Sequence, residues 1–206
     1  MPSHKIKNIL FDLGNTLIFY DYSYFYEGLG KLEKKLNILK FKRYIKENDF
    51  GNKLCKGKIN IRDFFRKAKK KFNLKVSFED FVYLYSDIFW VNYKMKNFLE
   101  KINALGQFRL FLISNTDSTH MNFLMKNFPF LKIFKNRILS YKVGMIKPQK
   151  KIFIYTLQKY KLKKGETLLI DDIPANIRAA EAIGIKAIRY KSHEKFLKQF
   201  TRIVRK

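Results

Sequence analysis

Three short apolar runs in this sequence each end in groups that can do chemistry. Ile9-Leu10-Phe11 ends in Asp12 and then turns through Gly14-Asn15-Thr16. Phe108 to Ile113 ends in Ser114-Asn115-Thr116-Asp117, and Thr167 to Ile170 ends in Asp171-Asp172. A fourth cluster, Gly144-Met145-Ile146-Lys147-Pro148, lies between the second and the third. Carboxylates from separate strands can hold a hard cation such as Mg²⁺, with water and phosphate oxygens completing the oxygen shell. A lysine offsets phosphate charge, and a hydroxyl with backbone N–H groups cradles its oxygens. A carboxylate can also attack phosphorus as a nucleophile. Asp12 is the best placed for that, because Gly14 lets the backbone fold round a phosphate. The chemistry these groups suit together is phosphoryl transfer.

For the groups to meet, the runs that carry them must be neighbours. Each run is short, apolar and β-prone, as buried strands are. Helical patterns separate them after Lys94: Met95, Phe98, Leu99 and Ile102 before Gly106; Met121, Leu124 and Phe128; Ile152 to Tyr160; Ala175 to Ile183 before Gly184. Ile138–Tyr141 and Ile185–Ile188 read as further strands, and a last helix starts near Glu194. Such alternation predicts an α/β fold, a Rossmann-like parallel sheet with helices on both faces. The carboxyl ends of its strands then converge on one rim, where such sheets bind ligands. Residues 21–93 break the alternation. Phe25, Leu29, Leu32 and Leu36, then Ile61, Phe64, Phe65, Ala68 and Phe72, have helical spacing. Ser77 with Asp80 reads as a capping box ahead of Val82, Tyr85 and Phe89. This stretch is expected to be an all-helical insertion.

Composition bounds the function classes. A chain of 206 residues, 47% of them apolar and 21 of them Phe, suits one core domain with one insertion. No apolar run has the length of a membrane span, and MPSHKIKN leads into no signal-peptide core. A lone cysteine, Cys55, cannot form an intrachain disulfide, so a cytoplasmic location is the expectation. The formal charge of +27 is spread over both parts of the chain. Thirty-five of the 44 basic residues are Lys, as AT-rich coding would give, although coding bias does not explain so few acids. A surface of this kind attracts phosphorylated ligands and binds nucleic acid or other polyanions non-specifically.

DLGNTL after an apolar strand, LISNT, GMIKP and LLIDD, in this order and with a helical insertion after the first, resemble the haloacid dehalogenase superfamily. The phrase IDDIPANIRAAEAIGI and the DLGN motif are similar to the subgroup that includes bacterial α-D-glucose-1-phosphate phosphatases. The resemblance implies an α/β core of residues 1–18 and 95–206 with a C1-type helical cap of residues 19–94. It also implies roles. Asp12 would be the nucleophile and a Mg²⁺ ligand, and Gly14 would lend its carbonyl to the metal. Ser114 would hydrogen-bond the phosphoryl group, with Asn115 beside it. Lys147 would steady Asp12 and the phosphate. Asp171 and Asp172 would serve the metal, and Asn176 would support their loop. The implied reaction is Mg²⁺-dependent hydrolysis of a small phosphomonoester, a sugar phosphate for preference, through an aspartyl-phosphate.

One position departs from the superfamily's pattern. Most of its phosphatases carry a second Asp two residues after the nucleophile, and here that residue is Gly14. Asp21 is a candidate substitute acid, although a helix-capping role suits it better. Three alternative functions follow from the same residues: a metal-independent 2-haloacid dehalogenase, a nucleotide or nucleic-acid-end phosphatase, and a weakly catalytic polyanion binder. His4, His120 and His193 match no metal-ligand spacing and are read as surface residues. Cys55, Trp90 and the insertion's tyrosines are read as packing groups.

Overall fold

The computed structural model describes residues 5–204. Its strands are β1 (Asn8–Phe11), β2 (Ile18–Tyr20), β3 (Phe89–Val91), β4 (Arg109–Ser114), β5 (Asn136–Leu139), β6 (Thr167–Asp171) and β7 (Lys186–Arg189). Five of them form one parallel sheet in the order β5-β4-β1-β6-β7. The alternation of side chains along β1 explains its all-apolar sequence. Ile9 and Phe11 pack into one apolar cluster with Leu112 and Ile170, and Leu10 packs into another with Phe111 and Leu169. A sheet covered on both faces needs apolar residues at every strand position.

Helices α6 (Tyr93–Ala104), α7 (Ser118–Asn127), α8 (Ser140–Val143), α9 (Lys150–Tyr160), α10 (Pro174–Glu181) and α11 (His193–Val204) follow from residue 93 onward. Before them come α1 (Ser23–Leu32), α2 (Ile38–Glu47), α3 (Phe50–Cys55), α4 (Ile61–Phe72) and α5 (Phe78–Ser86). These five pack round a cluster of their own, made largely of Phe25, Phe41, Phe50, Phe64 and Phe81. The Phe25 and Phe81 rings meet edge-on at 5.3 Å, and those of Phe50 and Phe64 pack tilted at 4.9 Å. Burying each such ring contributes about 1.5–3 kcal/mol. Asn37, Asn60 and Ser77 start α2, α4 and α5 by accepting a backbone N–H three residues on.

Two local expectations are corrected. Phe89 does not continue the α5 face, because the helix ends at Ser86 and Phe89–Val91 pairs antiparallel with Ile18–Tyr20. The run Ile88-Phe89-Trp90-Val91 is β-prone, and its partner lies some seventy residues upstream, beyond the reach of a helical pattern. The reciprocal capping box occurs at Asn60 and Asp63 rather than at Ser77 and Asp80. Asp80 accepts instead from the Ser77 hydroxyl at 2.7 Å. Among the described residues no helix is long and apolar enough to cross a membrane.

Candidate active site

Sheet register brings the polar strand ends together. Phe11 stands opposite Leu112 on one side and Ile170 on the other. Asp12 therefore emerges beside Asp171, its backbone N–H donating to the Ile170 carbonyl at 2.9 Å. Lys147 reaches in from the loop after α8, and its Nζ donates to Asp12 Oδ1 and Asp171 Oδ2, both at 2.6 Å. All three side chains are buried. The Asn115 side chain holds this lysine's backbone, accepting the Lys147 N–H and donating to the Lys147 carbonyl, each at 2.8 Å. Both ends of that amide are thereby occupied. Asp171 also accepts from the Ile173 N–H at 2.9 Å, and the Asn176 amide donates to its two oxygens at 2.9 and 3.0 Å. Ser114 is buried at the end of β4, and Asp172 is half-buried next to Asp171.

The electrostatics follow from burying like charges around one cation. Burial pushes the Asp12 carboxyl up to about 7; Lys147 opposes the rise, while Asp171 and Asp172 add to it. Burial works to lower Lys147, yet its two carboxylate partners outweigh that and hold the ammonium above its ordinary range. Asp172 is raised by burial and then by the charge of Asp171. Carboxylate oxygens of Asp12, Asp171 and Asp172 all lie within 4.8 Å of one another. An all-oxygen donor set of this spacing fits a hard divalent cation.

Asp12, Ser114, Lys147 and Asp172 line a cleft of about 270 Å³, with Asp171 buried behind them. Tyr20, Tyr22, Cys55, Phe89 and His120 line it as well. Tyr20 crowds the position of the departure, because a Cβ on Gly14 would stand 2.8 Å from Tyr20 Cε1. An Asp there would have to displace the ring. Asp21 is exposed and does not line the cleft; its Oδ1 accepts the Ser23 N–H at 2.7 Å and caps the start of α1. His120 is buried, not on the surface, because its ring is packed between Asp117 and Tyr85. His193 is half-buried, and His4 lies outside the described residues. No sequence signal marked Tyr20, Tyr22 or Phe89, since aromatic residues abound in the insertion and only pairing and packing aim these three at the rim.

A protein-family model of haloacid dehalogenase-like hydrolases matches residues 6–184. The chain belongs to this family. It is a hydrolase of the haloacid dehalogenase-like fold. It is 22% identical to the D-ribitol-5-phosphate phosphatase of Bacteroides thetaiotaomicron, over 97% of this chain and 98% of that one. A crystal structure of a haloacid dehalogenase-family enzyme from the same organism is similar at a TM-score of 0.84 and 26% identity, covering 96% of this chain and 99% of that one. A complex of that enzyme with magnesium and inorganic phosphate is similar at a TM-score of 0.78 and 25% identity, covering 90% and 94%.

Proposed function

We propose that this hydrolase cleaves a small phosphomonoester, a sugar or sugar-alcohol phosphate, with Mg²⁺ as cofactor and Asp12 as nucleophile. The observation that carries the reading is Lys147 Nζ at 2.6 Å from both Asp12 and Asp171, in a cleft that also holds Asp172 and Ser114. The similarity to a D-ribitol-5-phosphate phosphatase supports the substrate class. It favours an open-chain polyol phosphate at least as much as glucose 1-phosphate.

In this reading Asp12, Asp171, Asp172 and the Gly14 carbonyl would hold the cation, which would offset negative charge on the phosphoryl oxygens. Ser114 donates its hydroxyl to one of those oxygens, and Lys147 neutralises Asp12 and the phosphate together. Asn115 acts by fixing the Lys147 backbone, and Asn176 by fixing Asp171. The Asp12 carboxylate attacks phosphorus, the bond from phosphorus to the substrate oxygen breaks, and the departing alkoxide takes a proton from water. A second water then attacks the aspartyl-phosphate, releasing phosphate and restoring Asp12. Residues 19–94 serve as a cap over the 1–18 and 95–206 core; its wall keeps bulk water out and selects the substrate. The acidic trio favours phosphorus over the carbon centre of a haloacid, and the small cleft favours a metabolite over a nucleic-acid end.

The test is turnover of p-nitrophenyl phosphate, sugar phosphates, polyol phosphates and a 5′-phosphorylated oligonucleotide, with Mg²⁺ and with EDTA. Expected is Mg²⁺-dependent release of phosphate, fastest on a sugar or polyol phosphate and reduced about 10⁴-fold or more in Asp12→Asn. Turnover that survives Asp12→Asn would overturn the mechanism. Preference for the oligonucleotide would overturn the substrate class and give the +27 charge a role in recognition.

A further inference from the structure

The seam between the helical insertion and the sheet core holds a buried polar cluster that the proposed chemistry does not use. Asp117 caps α7, three residues after Ser114. Its Oδ1 accepts the backbone N–H groups of Thr119 at 2.8 Å and His120 at 3.0 Å. Its Oδ2 accepts the Tyr85 phenol at 2.8 Å and faces His120 Nδ1 at 2.9 Å. On the other side of the ring, His120 Nε2 stands 2.9 Å from the main-chain oxygen of Tyr85. The Tyr85 and His120 rings stack at 4.1 Å with 11° between their planes. Asp117, His120 and Tyr85 are all buried.

This geometry sets the charge on the ring. A carboxylate and a carbonyl oxygen can only accept, so each imidazole nitrogen must bring a proton. A neutral imidazole has one N–H and satisfies one of the two; the ring that satisfies both is an imidazolium. The other titratable groups facing the cluster bring no competing charge. Burial raises Tyr22 and Tyr85 well above the ordinary tyrosine range, raises Tyr141, and pushes the Cys55 thiol up to about 12. Burial would also raise Asp117, but the His120 cation, its N–H and the Tyr85 phenol together hold the carboxyl below its ordinary value. One anion therefore faces one cation, with each of their hydrogen-bonding groups matched.

Tyr85 lies on α5 of the insertion, whereas Asp117 and His120 lie on α7 of the core, and His120 lines the cleft. We propose that His120 is a positioning residue: as an imidazolium bonded to Asp117 and to the Tyr85 carbonyl, it pins the insertion to the core and holds the cleft wall in place against the substrate. Its kinetic consequence rests on the phosphatase reading; its protonation does not.

The test combines NMR and kinetics on the full chain. With ¹⁵N-histidine labelling, and His120 assigned by its loss in His120→Gln, both ring nitrogens of His120 should carry protons under assay conditions. A ring with one unprotonated nitrogen overturns the proposal. In p-nitrophenyl phosphate turnover, His120→Gln should raise KM about 10-fold while kcat changes less than about 3-fold. A fall in kcat equal to the fall in kcat/KM, with KM unchanged, would mark a merely structural residue and overturn the positioning role. The wild-type NMR result decides the matter if His120→Gln fails to fold. Absence of turnover on every phosphomonoester would strike the phosphatase reading, while a neutral His120 in an active enzyme would strike the clamp alone.

Discussion

On the strand side of the cleft, Asp12, Ser114 and Asp171 sit at or directly beyond the ends of buried parallel strands, and side-chain hydrogen bonds hold the two carboxylates. On the facing side, Tyr20 and Phe89 pair in a two-stranded ribbon, Tyr22 and Cys55 stand at the borders of helices, and the Tyr20 ring packs on those of Tyr22 and Phe89. The rim carries charge and is over-determined by the sheet ladder. The wall carries aromatic surface and, outside the Asp117–His120–Tyr85 cluster, rests on ring contacts that can be re-packed. Chemistry should therefore fail when the rim is altered, whereas substrate choice should shift when the wall is altered.

The largest expected effect lies on the rim. Lys147→Met leaves two buried carboxylates facing each other without their cation, which costs about 3–5 kcal/mol of stability. Saturating Mg²⁺ should recover part of that loss, because the acidic trio then gains another cation. Urea unfolding with and without Mg²⁺ measures both; an unchanged midpoint would show that Lys147 does not hold the rim together.

Asp12 should make the metal-free protein pH-dependent. Its carboxyl is raised from 3.8 to about 7 in the folded chain, so between those values the native state holds a proton that the unfolded chain has released. Stability in EDTA should then fall as pH rises from about 4 to 7. Affinity for Mg²⁺ should rise over the same interval, as metal and proton compete for Asp12. Asp12→Asn should flatten the stability slope. Unfolding across a pH series and Mg²⁺ titration check the two halves.

A third experiment crosses the cleft. Gly14→Asp alone should not speed turnover of poor leaving groups, because the new Cβ meets the Tyr20 ring. Combined with Tyr20→Ala, it should raise kcat by up to about 10²-fold, the range of general acid–base help. A gain from Gly14→Asp alone would show that Tyr20 is not what excludes an acid there. The smallest effect belongs to the wall: Tyr22→Ala should re-rank sugar and polyol phosphates by about 10-fold in kcat/KM. It should leave p-nitrophenyl phosphate nearly untouched, and a uniform loss on all substrates would erase the distinction between wall and rim.

The rim was legible because each of its residues ends a recognisable apolar run or, for Lys147, sits in a loop punctuated by Gly144 and Pro148. Asn115 was found as a position, but its two bonds to the Lys147 backbone join residues 32 apart and have no local signature. Phe89 has helical spacing from Tyr85, yet pairing with Tyr20 puts it in a strand. Nothing near His120 in sequence shows that Tyr85, 35 residues away, covers its ring, so local pattern alone leaves it on the surface.

By itself the sequence determined the alternation of strands and helices and the carboxylates and hydroxyl that stand at the strand ends. Those properties depend on side-chain periodicity and on residues a few positions apart. Only the tertiary structure decided that Tyr20 closes over Gly14, that the β2–β3 ribbon brackets the insertion, and that His120 sits doubly bonded in the seam. Each of these is a contact between segments distant in the chain, where packing and the need to satisfy buried polar groups choose among conformations that local propensity leaves open.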